Sequence, residues 1–200
     1  MKIEAVSTIT GATIPMKANA DNSLVVNNSG GKYTRACLEG RMFSAASQAA
    51  VTTTAAMAGT YTGLIIQNPL ASGKYAIMQE FGWASSVAGS HITTVGLMVG
   101  SYEATNTVAY GIVPIKNGLV GGATSGMYAD DGATIVGPIV TRHFGCLGTA
   151  ATTAIQNNGP FVYQIDGSII LSPGTYVAAY TLLGTTTCLE FHFMWEEATM

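Results

Sequence analysis

The sequence predicts an all-β protein, a jelly-roll-like β-sandwich of roughly eight strands behind an extended N-terminal arm. Three observations predict it. Two-residue alternation of apolar and polar side chains is clean in the last strand. Turn-forming Gly, Pro, Asn and Asp recur every ten to twenty residues or so. No window carries apolar residues at i, i+3, i+4 and i+7, and Thr and Gly density opposes long helices.

Taken in chain order, residues 1–40 hold short β-prone pieces, Ile3 to Val6 and Leu24 to Asn27, between polar stretches such as Asn27-Asn28-Ser29-Gly30-Gly31. They have too little apolar content for a core of their own, so they read as an arm that gains order on a partner. Residues 41–200 form the body. The alanine-rich run Ala45 to Ala58 is ambiguous: Thr52-Thr53-Thr54 favours extended chain, while Ser44 to Ala50 suits a short helical turn. Strands are expected near Tyr61 to Gln67, Tyr75 to Trp83, Ile92 to Ser101, Thr134 to Val140, Phe144 to Thr149, Ser168 to Leu171 and Thr175 to Leu182. In the last strand Leu189, Phe191, Phe193 and Trp195 share one face and Glu190, His192 and Glu196 the other, so the first four are the expected core face. Turns are expected at Asn68-Pro69, Ser72-Gly73, Asn117-Gly118, Asp131-Gly132, Asn158-Gly159-Pro160, Asp166-Gly167 and Ser172-Pro173-Gly174. The glycine-rich stretch from Glu103 to Gly132 reads as loops at one end of the sandwich. No repeat of twenty to fifty residues is present, which excludes solenoids and propellers.

Bulk properties narrow the function. Two hundred residues suffice for one domain that buries roughly 70% of its unfolded surface, so neither disulfide nor metal is needed for stability. Only 10% of residues are charged, against about 25% in ordinary soluble domains. A surface of small neutral residues is weakly solvated, which points to an oligomer or a part of a larger assembly. The net charge of −3 is uneven. Residues 1–41 carry Lys2, Lys17, Lys32, Arg35 and Arg41 against three acids, and the remainder carries three bases against eight acids. The five bases are expected to help the arm dock on an acidic neighbour. They are too dispersed for a nucleic-acid footprint. Cys37, Cys146 and Cys188 show no metal-binding or redox spacing and read as free buried thiols in a reducing compartment. Neither a signal peptide nor a membrane-spanning run is expected.

No constellation for catalysis emerges. His91, His143 and His192 lie about fifty residues apart without the HxH pair of a cupin metal site, and His192 is expected to face outward. Asp130-Asp131-Gly132 lacks the remaining ligands of an EF-hand and reads as a turn. Ser72-Gly73-Lys74 fails as a phosphate loop, because Asn68 stands where the first glycine would be and Tyr75 follows the lysine. There is no Gly-x-Ser-x-Gly and no candidate carboxylate pair. The expectation is a non-enzymatic protein without cofactor or metal.

The stretch from Gly31-Lys32-Tyr33-Thr34 through Gly40-Arg41-Met42-Phe43-Ser44-Ala45-Ala46-Ser47-Gln48-Ala49-Ala50-Val51 continues into Thr60-Tyr61-Thr62-Gly63-Leu64 and Asn68-Pro69 with Ser72-Gly73-Lys74. With Asp166-Gly167-Ser168, Pro173-Gly174-Thr175-Tyr176-Val177 and Met194-Trp195-Glu196-Glu197, it resembles a family of tailed-phage virion proteins of the capsid decoration, or cement, type. These motifs shape a fold and carry no chemistry. The resemblance implies a trimeric jelly roll on the outside of the head, in which the face of Leu189, Phe191, Phe193 and Trp195 would form the core of the trimer, with the major capsid protein and two further copies as partners, and neither nucleic acid nor membrane among them. It implies assembly in the host cytoplasm and residence on the virion. An alternative is a receptor-binding module of a head fibre or tail tip, using the loops between Glu103 and Gly132 for host glycans. A cupin-type small-molecule domain is the third reading.

Overall fold

The computed structural model describes residues 4–6, 13–15, 31–86, 92–101, 106–147 and 161–200. The chain forms two compact units, residues 1–34 and 35–200. In the first, β1 (Glu4–Val6) pairs antiparallel with β2 (Thr13–Pro15). The predicted strand Leu24 to Asn27, the turn at Asn158-Gly159-Pro160 and the charges Lys2 and Lys17 lie outside the described residues.

The second unit is a two-sheet antiparallel sandwich. It begins within the short helix α1 (Thr34–Leu38), which the sequence did not predict. There follow β3 (Met42–Ala46), β4 (Val51–Thr53), β5 (Thr60–Asn68), β6 (Lys74–Ser85), β7 (Thr93–Ser101), β8 (Ile115–Asn117) and β9 (Tyr128–Thr134). The chain closes with β10 (Ile139–Leu147), β11 (Phe161–Gln164), β12 (Ile170–Leu171), β13 (Thr175–Thr181) and β14 (Thr185–Thr199). One sheet has the order β11-β6-β14-β3-β8, with β12 also on β6 and β4 on β14; the other runs β10-β7-β13-β5-β9.

This order defines a jelly roll. Number β3, β5, β6, β7, β10, β11, β13 and β14 as first to eighth. The frame of one sheet then reads 6-3-8-1 and that of the other 5-4-7-2, two Greek keys wound together. The added strands β8 and β9 come from the long excursion between β7 and β10 and extend both sheets on one flank. The opposite flank ends in β10 and β11.

Two apolar layers hold the unit together. The main one lies between the sheets and joins Phe43, Met78, Phe81, Trp83, Leu189, Phe191, Phe193 and Trp195 of one to Leu64, Ile66, Val95, Leu97 and Val177 of the other. Phe81 is in ring contact with Phe191, Phe193 and Phe144, at centroid separations of 6.0, 5.0 and 5.4 Å. The second layer covers the opposite face of the five-stranded sheet, where Tyr61, Ile65, Met98, Tyr176, Ala178 and Tyr180 are buried with Val108 and Ile135. That sheet is therefore apolar on both faces, which explains the near-continuous apolar run in β5 and β7.

Several expectations need correction. The predicted strand Thr134 to Val140 straddles the end of β9 and the start of β10, and Ile135-Val136-Gly137-Pro138 between them is not strand. Asp131-Gly132 lies inside β9, opposite a bulge of β5 between Thr62 and Ile65, and is not a turn. Ser44 to Ala50 forms no helical turn: β3 runs through Ala46 and bends away. The stretch from Glu103 to Gly132 is not all loop, since it contains β8 and the start of β9. By contrast Gly73, Asp166, Gly167 and Gly174 adopt positive φ, as their turns require.

Candidate interaction surfaces

The aromatic face of β14 is placed as its alternation predicts. Leu189, Phe191, Phe193 and Trp195 are all at most 2% exposed in the core between the sheets of a single chain. Each contributes on the order of 1.5–3 kcal/mol by leaving water.

The other face of β14 looks outward and is half-exposed. Here His192 Nε2 lies 3.1 Å from Glu80 Oε1, and the second oxygen of Glu80 accepts a hydrogen bond from Gln164 Nε2 at 2.7 Å. The geometry depends on Gly82, because a Cβ there would fall 1.9 Å from the imidazole Cε1. His192 therefore lies flat across β6, directly opposite Gly82 in the strand register. His143 is exposed on β10, its ring edge-on to Tyr180 with centroids 5.8 Å apart. His91 lies outside the described residues. Among the described residues no three His, Cys, Asp or Glu side chains converge as a metal site.

The basic residues proposed for docking separate. Lys32 Nζ stands 4.8 Å from the ring centroid of Tyr33 in the first unit. Arg35 and Arg41 belong to the second unit, and both bond Glu39, at 2.8 and 2.5 Å. Arg41 also pairs with Glu196. The hydrogen bonds from Arg35 and then Arg41 hold the Glu39 carboxyl below its usual range. These two charges are thus neutralised within the chain. Of the cysteines only Cys188 is buried, which pushes its thiol up; Cys146 is exposed and Cys37 intermediate, against the expectation of three buried thiols.

A buried carboxylate that sequence reading missed organises one end. Glu197 accepts from Lys74 Nζ at 2.7 Å, from Ser125 Oγ at 2.5 Å and from the Gly126 amide at 3.1 Å. Ser125 Oγ in turn accepts from the Met127 amide at 2.9 Å. The cluster ties the segment after β8 to β6 and β14. Beyond it Asn117 Nδ2 donates to the carbonyls of Gly40 and Ala123, and the tip presents Leu119 and Val120, the latter 96% exposed. Tyr110 and Ile112 are exposed in the same excursion.

Apolar exposure also gathers on the flank formed by β10, β11 and β12. All four residues of β11 are exposed, although Phe161 stacks on Trp83 at 4.4 Å and Tyr163 meets Phe144 at 4.2 Å. Ile139 and Ile170 are exposed beside a cleft of about 450 Å³ whose walls include Val99, Ile169 and Tyr176. The arrangement offers apolar contact area and strand edges. Comparison with known protein families, with curated proteins and with solved structures found no match to this chain.

Proposed function

We propose that the protein is a structural component of a tailed-phage particle, a capsid decoration protein that assembles as a trimer on the outer surface of the head. The observation that carries the proposal is a jelly roll with few charges that leaves large apolar side chains at its borders: Phe161, Val162, Tyr163 and Ile170 on one flank, Leu119 and Val120 on the other. Such borders favour contacts with further protein. A cement works by multivalency. Many modest contacts, each held at high effective concentration by the shell lattice, resist the outward pressure of packaged DNA. The major capsid protein is the partner, and the N-terminal unit extends the contact by strand addition or clamping.

Exposed Tyr110, Ile112 and Val120 in the excursion between β7 and β9 favour one second reading, an adhesive module that grips host glycans with these loops. Co-sedimentation of purified protein with isolated heads tests the first reading, and glycan arrays test the second. Saturable head binding without glycan binding supports the cement. Glycan binding without head binding replaces it with the adhesin. A chain starting at Arg41 is expected to fold and lose head binding; equal binding would remove the N-terminal segment as the anchor.

A further inference from the structure

We propose that identical copies join edge to edge through their seven-stranded sheets, β8 of one copy lying beside β11 of the next. The inference rests on the oligomeric reading above and names the surface and the partner, a second copy of this chain.

The sheet order places β8 and β11 at opposite ends of one sheet, and neither outer edge has a strand partner among the described residues. Four successive antiparallel pairings separate them, so the two strands run in the same direction. A neighbour related by rotation about an axis along the strands therefore offers β8 to β11 in parallel pairing. Their lengths match, three residues against four.

The faces match as well. On β8, Ile115 pairs with buried Ala45 and points toward the core, while Lys116 pairs with Ser44 and points outward. On β11, Phe161 and Tyr163 pair with the core residues Trp83 and Phe81, while Val162 pairs with Gly82 and points outward. Joining the edges would set Ile115 against Phe161 and Tyr163, continuing the core across the seam. Lys116 would lie on the same outward face as Glu80, about 10 Å away across two strand spacings, within the joint reach of the two side chains. Lys116 is the one charge on β8 and has no bonded partner among the described residues. Exposed strand edges in natural proteins are usually blunted by charge or proline. β11 has neither in Phe161-Val162-Tyr163-Gln164. Because the two edges differ, the contact is heterologous and generates a ring when the rotation closes.

Sedimentation velocity of the full chain at micromolar concentration tests the seam, with circular dichroism reporting the fold of each variant. Wild type is expected to sediment as a closed oligomer. Val162→Asp and Lys116→Glu should each weaken association at least tenfold, and Glu80→Lys added to Lys116→Glu should recover part of the loss. An oligomer indifferent to both single substitutions overturns the seam and leaves the oligomeric reading standing. A wild-type monomer at every concentration overturns both. Should Val162→Asp fail to fold, the charge-exchange pair decides: no weakening by Lys116→Glu, or no recovery in the double variant, rejects the seam.

Discussion

Gly82 and Gly96 are both strand glycines, yet they meet different obstacles. A Cβ at Gly82 would strike the imidazole of His192, a partly exposed ring that can swing away. A Cβ at Gly96 would lie 2.1 Å from the carbonyl oxygen of Arg142, which is backbone in the neighbouring strand. Gly82→Ala should therefore cost about 1 kcal/mol, and the cost should vanish in a His192→Ala background, since alanine is otherwise the better strand residue. Gly96→Ala should cost about 2–4 kcal/mol, because β7 and β10 must separate. Urea midpoints of the four variants check both statements. The tyrosines add a pH dependence. Tyr61 is fully enclosed, its hydroxyl donating to the carbonyls of Ala179 and Leu64 at 2.9 and 3.1 Å, and burial raises it well above its ordinary value. Burial pushes Tyr176 up to about 12. The unfolded chain releases these protons near pH 10, before the folded chain does. The contribution of Tyr176 is thus complete below about pH 10 and is lost as pH rises through about 12, and that of Tyr61 is lost on the same alkaline side. Denaturant midpoints should fall across that window and fall less in Tyr176→Phe.

At the level of elements, the Glu197 cluster predicts local control of the segment between β8 and β9. Replacing Glu197 with alanine leaves the Ser125 hydroxyl and the Gly126 amide without their acceptor and Lys74 without its partner. The expected loss is about 2–3 kcal/mol, with faster amide exchange concentrated in residues 117–127. Uniform exchange across all strands would contradict the assigned role. The same element scale shows what the sequence could reveal. β14 was legible because one face is core and the other half-exposed, so Leu189 through Trp195 alternate. β11 was not, because all four residues are exposed and its apolar run has no period. β9 is hard to see in the sequence because Asp131-Gly132 has turn chemistry. What keeps it in a strand is distant: Asp130 is buried and bonds the Ala109 amide at 2.8 Å, a contact that sequence spacing does not announce. Lys74, Ser125 and Glu197 were invisible as a cluster for the same reason. Their meeting depends on the register of β6 against β14, with Thr199 opposite Lys74.

For the whole molecule, the jelly roll followed from strand count and turn spacing, and the detailed winding needed the structure. The excursion between β7 and β10 supplies β8 and β9, widening both sheets on one flank and carrying exposed Val120. The five-stranded sheet hides its outer face under a second apolar layer, while the seven-stranded sheet leaves Glu80, Glu190, His192 and Met194 half-exposed. That asymmetry suits a body with one self-contained side and edges left for neighbours. On the cement reading the genome that encodes this chain also encodes a phage particle, and a density map of that intact particle is the most direct test. The account predicts three-lobed knobs of jelly-roll size on the outer head shell between capsomers. Heads bare of such density, with the protein at the tail tip or missing from the particle, would contradict it.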